Sequence, residues 1–151
     1  MVHVDTCEEF SIDTETLWRN IGSFQGVGEW HLMLALVSGF GETPGSVRSV
    51  VSKDGQKQVE GLREINPAEH YYRYDIISTS MPVSHYKGEF CIQDCGDHTS
   101  RIVWSSMFRV KSGDESKTAE MVRGFLRAGL DSLKSKYQKS FVVAVRGPHR
   151  S

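Results

Sequence analysis

Cysteine is scarce in this chain. Only Cys7, Cys91 and Cys95 occur, an odd number in a chain too long to need a disulfide framework, so reduced thiols in a cytoplasm are the simplest expectation. A charge of one sign is missing too. Lys and Arg number 18 against 19 Asp and Glu, a formal net charge of −1, and no basic run precedes the C-terminal tail. That balance speaks against nucleic acid or an anionic membrane as the main partner. No apolar run approaches a membrane span, and Met1-Val2-His3-Val4-Asp5 has neither region of a secretory signal. The six histidines, His3, His31, His70, His85, His98 and His149, show no pairing at ligand spacing, so neither a metal nor a cofactor is expected. A glycine-rich phosphate loop and a Gly-x-Ser-x-Gly nucleophile turn are absent as well. Without repeats, low-complexity segments or a long linker, residues 1–140 read as one domain and 141–151 as a C-terminal tail.

What is present is a run of strands followed by one long helix. From Asp114 to Lys139, the residues Val122, Phe125, Leu126, Gly129, Leu133 and Tyr137 fall on one helical face, flanked by Met121 and Leu130. The acidic start at Asp114-Glu115 and the lysines near the end suit the helix dipole. Upstream, Val2–Phe10 reads as a strand, and Asp13 offers a cap for a short helix stopped by Gly22. A second short helix or turn follows over residues 23–30. Six further strands are expected over 32–40, 46–53, 56–65, 71–78, 84–93 and 100–110, joined by turns such as Asp54-Gly55 and Cys95-Gly96-Asp97. Phe141–Val145 could add a short strand, and the last residues read as an unstructured tail. The class is α+β: an antiparallel meander curved around one helix, with room between them for a ligand pocket.

Several side chains could carry chemistry. Counted outward from the Asp54-Gly55 turn, Arg48 and Glu60 lie nearly opposite each other. On the inner face they would form a buried pair suited to orienting a ligand or moving a proton; on the outer face they would be an ordinary cross-strand pair. Tyr74, Tyr86, Trp104 and Phe108 form an aromatic set that either lines a cavity or fills a core, with Leu62 on the face of Glu60. Trp30 is placed as a gate at the cavity end. His31 beside it is either a proton carrier or a structural residue, while His85 should face outward. On the helix, Phe125, Leu126 and Gly129 are the candidate cavity side. A glycine inside a helix costs about 1 kcal/mol relative to alanine, so Gly129 marks either vacant space or close packing against the sheet.

The ordered motifs Leu17-Trp18, Ile21-Gly22-x-Phe24, Glu29-Trp30-His31, Gly45-x-Val47-Arg48, Val59-Glu60-x-Leu62, Tyr72-x-Tyr74-x-Ile76, Met81-Pro82-Val83-x-x-Tyr86, Val103-Trp104-x-x-x-Phe108 and Gly129-Leu130-x-x-Leu133 span nearly the whole chain. Together they resemble the polyketide cyclase/dehydrase and lipid-transport family of the START and birch-pollen-allergen-like (SRPBCC) superfamily. The resemblance implies a helix-grip fold, with a seven-stranded sheet around the C-terminal helix and two short helices after the first strand. It also implies an apolar cavity. Relatives often carry proline shortly after the Trp30 position, where this chain continues His31-Leu32-Met33.

The expected function is binding of a small apolar or amphipathic molecule by a monomer or homodimer. One alternative is a cyclase-, dehydratase- or isomerase-like enzyme using Arg48, Glu60 and tyrosines for proton transfer. Another is a protein-interaction or stress role without turnover. In the first two readings, Glu60→Gln should leave folding intact and change affinity or rate.

Overall fold

A computed structural model describes residues 1–146, with side chains described through residue 138. The chain runs β1 (Val2–Phe10), α1 (Thr14–Ile21), a 3-10 turn (Gln25–Glu29), β2 (Leu34–Phe40), β3 (Val47–Ser52), β4 (Lys57–Asn66), β5 (Tyr71–Thr79), β6 (Val83–Gly96), β7 (Thr99–Val110) and α2 (Glu115–Arg146). All strands join one seven-stranded sheet in the order β1-β7-β6-β5-β4-β3-β2. Every neighbouring pair is antiparallel. Only the β1–β7 pairing is not sequential.

Two expectations are corrected. One of the two short helices after β1 is a single 3-10 turn, because its Gln-Gly-Val-Gly-Glu sequence has two glycines and too few apolar positions to hold an α-helical stripe. Phe141–Val145 is not an added strand. It continues α2 to Arg146, with no turn residue ahead of it to break the helix. Residues 147–151, the rest of the expected tail, lie outside the described residues.

Local sequence accounts for the helix starts. Asp13 caps α1 by accepting the Thr16 N–H at 2.8 Å, and Asp114 accepts from the Ser116 and Lys117 amides ahead of α2. The sheet curves through register shifts in β2, β4 and β6, each adding local twist. Val122, Leu126, Leu130 and Leu133 carry the buried stripe of α2, so Leu130 belongs to the core rather than to its flank. The helix packs chiefly on β1 and β7. Toward β3 and β4, at the other side of the sheet, a gap remains beneath its first turns, and the candidate site lies there.

Candidate functional site

Between α2 and the β3–β5 side of the sheet is a cavity of about 100 Å³. Met121, Val122 and Phe125 form its helix wall. Val50 and Ser52 on β3, with Gln58 and Glu60 on β4, form the opposite wall, and Asp54 and Gln56 extend it along the hairpin turn. Met33, Leu34 and Met81 edge the mouth, and Tyr74 and Tyr86 close the inner end. The enclosed part is space for roughly three waters or a short alkyl chain, below the ~150 Å³ apolar cavity that accepts benzene, and the open mouth lets a longer chain extend outward past the methionines. Methionines at the mouth supply side chains that can rearrange around a guest.

Of the residues singled out from sequence, Glu60, Tyr74, Tyr86 and Phe125 line this cavity. Trp30, Leu62, Trp104, Phe108 and Leu126 are buried in the packed core and do not line it. Trp30 meets His31, Phe90 and Trp104 ring to ring, and Phe108 stacks on Tyr86 at 5.4 Å. The wall residues that sequence reasoning missed come from Met33 and Leu34, from β3, and from the β3–β4 turn. Polar alternation along the hairpin, with Ser52, Gln56 and Gln58 leading to Glu60, was the available signal.

Arg48 and Glu60 are direct partners across the β3–β4 ladder. Arg48 is 1% and Glu60 5% exposed, and Arg48 Nε donates to Glu60 Oε1 at 2.6 Å. Arg48 does not reach the cavity. Its guanidinium lies 4.1 Å from the Phe24 ring centroid and donates through Nη1 to the Phe24 carbonyl and, at 3.4 Å, to the Tyr72 hydroxyl. Burial opposes its charge, but Glu60 and the tyrosines hold its pKa above the ordinary value. It therefore acts as a charged tie between the 3-10 region and two strands.

The tyrosines rest on further supports. Tyr74 accepts a hydrogen bond from Trp104 Nε1 at 3.0 Å. It stands opposite Gly88 on β6, where a Cβ would overlap its ring, so this glycine makes the inner end possible. Tyr86 and Ser106 share a 2.5 Å hydroxyl contact. Burial raises the pKa of both phenols, with the neighbouring Glu60 charge adding to it. At neutral pH they are donors, not phenolates. Beyond Asp75↔Lys87, β5 and β6 part, opening an outer recess of about 350 Å³ that Tyr86 separates from the inner cavity.

His31 is structural. It is 1% exposed, its Nε2–H donates to the Phe125 carbonyl of α2 at 2.8 Å, and its Nδ1 accepts the Met33 N–H at 3.3 Å. Burial lowers its pKa to about 4, although the Phe125 carbonyl pulls the other way and the Arg48 charge adds to the lowering. Its ring stacks 4.3 Å from Phe125. Gly129 is what lets it in: a Cβ there would come 2.6 Å from His31 Cδ2 and 2.7 Å from Trp104 Cζ3. The glycine marks close packing rather than vacant space. His85 is exposed, as alternation implied, and has a positive φ of 53°.

The profile of the family described as "Polyketide cyclase / dehydrase and lipid transport" matches residues 1–138. The chain belongs to this family. No curated protein matches it. Among solved structures, this polyketide cyclase/dehydrase family member is similar to an uncharacterized Bacillus thuringiensis protein at 27% identity and TM-score 0.83, covering 91% of this chain and 99% of that one. It is similar to XoxI from Bacillus cereus at 25% identity and TM-score 0.85, covering 91% and 96%. A START superfamily protein from Mycobacterium smegmatis shares 12% identity at TM-score 0.74, covering 91% and 97%, and carries the same fold. The family member thus has a START-like fold, and no helix among its described residues is long and apolar enough to cross a membrane.

Proposed function

We propose that this chain binds a small apolar or amphipathic molecule in the cavity between α2 and β3–β5, without turnover. The observation that carries this reading is the composition of the walls. Apolar side chains from α2 and the methionines face a polar strip from the β3–β4 hairpin, the pattern of a site that buries one part of a guest and orients another. A proton-transfer enzyme is less well supported. Glu60 is already committed to Arg48 at 2.6 Å, and burial holds the Tyr74 and Tyr86 phenols far from a pKa useful at neutral pH. His31, with its pKa lowered to about 4, is neutral and engaged at both nitrogens.

Methionine supplies a site-specific test. Met33, Met81 and Met121 line the cavity, whereas Met107 lies on the outer face of the sheet and Met1 is exposed. With ¹³C-methyl-methionine protein, hexanol should produce saturable shifts at the three cavity methyls and leave Met1 and Met107 unmoved. Equal movement of all five methyls, or no saturable movement, would overturn the proposal.

A further inference from the structure

The cavity walls contain two carboxylates, Asp54 and Glu60, and no Lys, Arg or His. The cation paired with Glu60, Arg48, is sealed behind it, with its guanidinium engaged by the Phe24 carbonyl, the Tyr72 hydroxyl and the Phe24 ring. A carboxylate or phosphate head entering the cavity would therefore face the Glu60 carboxylate while the guanidinium that balances it is turned away behind, and a desolvated charge left without a partner of its own is costly.

The hydrogen bonds made by the two carboxylates point the same way. A carboxylate offers about four acceptor sites. Among the described residues, Glu60 uses one oxygen for Arg48 Nε at 2.6 Å and the other for a long contact of 3.3 Å from Gln58 Nε2. Glu60 is 5% exposed and the cavity is the space it faces, so its remaining acceptor capacity is directed at whatever occupies the cavity, water or a guest. Among the described residues, Asp54 engages Ser52 Oγ and the Gln56 amide through Oδ1, and its exposed carboxylate stands at the rim.

We infer that the guest of this cavity presents a hydrogen-bond-donating head, a protonated amine in preference to a hydroxyl, on a short apolar body, and that anionic heads are rejected. This rests on the cavity being a binding site, as proposed above. The apolar body lies against Val122, Phe125 and Met121, and the head faces the Glu60 side.

The test keeps the body constant and changes the head: hexylamine, hexanol and hexanoate at neutral pH, each titrated into methyl-labelled protein with affinity read from Met33, Met81 and Met121. Glu60 is left unmutated, because a variant there would strand the buried Arg48. The expected order is hexylamine, then hexanol, then hexanoate, with hexylamine at least tenfold tighter than hexanoate. A smaller preference, or the reverse order, overturns the head-group assignment while binding itself stands. If none of the three gives saturable shifts at the cavity methyls, the binding reading fails, and this inference fails with it.

Discussion

Arg48 and Glu60 illustrate how burial changes the meaning of a mutation. From sequence, Glu60→Gln is a mild change. With Arg48 only 1% exposed, it leaves a guanidinium buried without its counter-charge. Loss of one partner of a buried pair costs about 3–5 kcal/mol. Glu60→Gln should therefore lower the urea unfolding free energy by that order, and the double change Arg48→Met/Glu60→Leu should restore most of it. Equal stability of Glu60→Gln and the parent would contradict the buried tie. His31 makes a different kind of prediction. Its pKa falls from 6.5 to about 4 on folding, so the unfolded chain binds its proton first as pH drops. The stability from this neutral ring is complete above the unfolded value and is lost as pH falls from about 6.5 toward 4. Between pH 7 and pH 5 this amounts to about 2 kcal/mol. Denaturant unfolding at the two pH values should show that loss in the parent and not in His31→Asn, and an unchanged pH difference in the variant would remove His31 from the explanation.

At the scale of elements, α2 contains an internal comparison. Gly124 is exposed and a Cβ there would meet nothing within 4 Å, whereas one at Gly129 would strike His31 and Trp104 at 2.6 and 2.7 Å. Helix propensity alone favours alanine at both by up to about 1 kcal/mol. Gly124→Ala should therefore raise the thermal midpoint. Gly129→Ala should lower stability by about 1–3 kcal/mol despite its propensity gain, because ring, imidazole and backbone must shift together. A stability gain in Gly129→Ala as well would show that the His31 contact is not tight.

The helix stripe also marks where sequence was informative. Its 3.6-residue period located Val122, Leu126 and Leu133 on the buried face, and counting from the Asp54-Gly55 turn paired Arg48 with Glu60, because both depend on short-range periodicity. Trp104, Phe108 and Leu126 could not be separated from cavity lining in this way. Whether an inward residue meets another side chain or empty space depends on how far α2 stands from each strand, a distance set by the whole packing arrangement. Met33 joins the site from a connecting segment that has no periodicity to betray it.

For the molecule as a whole, the curved sheet and α2 fit closely along β1 and β7 and part over β3 and β4. That divergence leaves a pocket instead of a filled core. The fold thus separates two tasks. The aromatic cluster of Trp30, Tyr72, Phe90 and Trp104 provides bulk stability, while the hairpin β3–β4, held from behind by Arg48, presents its polar side chains to the gap. Val50 is the residue through which to separate cavity from fold, since it is 4% exposed, lines the gap and lies outside the Arg48–Glu60 pair. In Val50→Phe, the added ring enters space already empty, so the stability change should stay below about 1 kcal/mol where overpacking of a filled core costs more. The decisive measurement is hexanol titration of methyl-labelled parent and Val50→Phe side by side. The parent should show saturable shifts at Met33, Met81 and Met121, and the folded variant should show none. Undiminished, saturable shifts in Val50→Phe would place the guest somewhere other than this cavity.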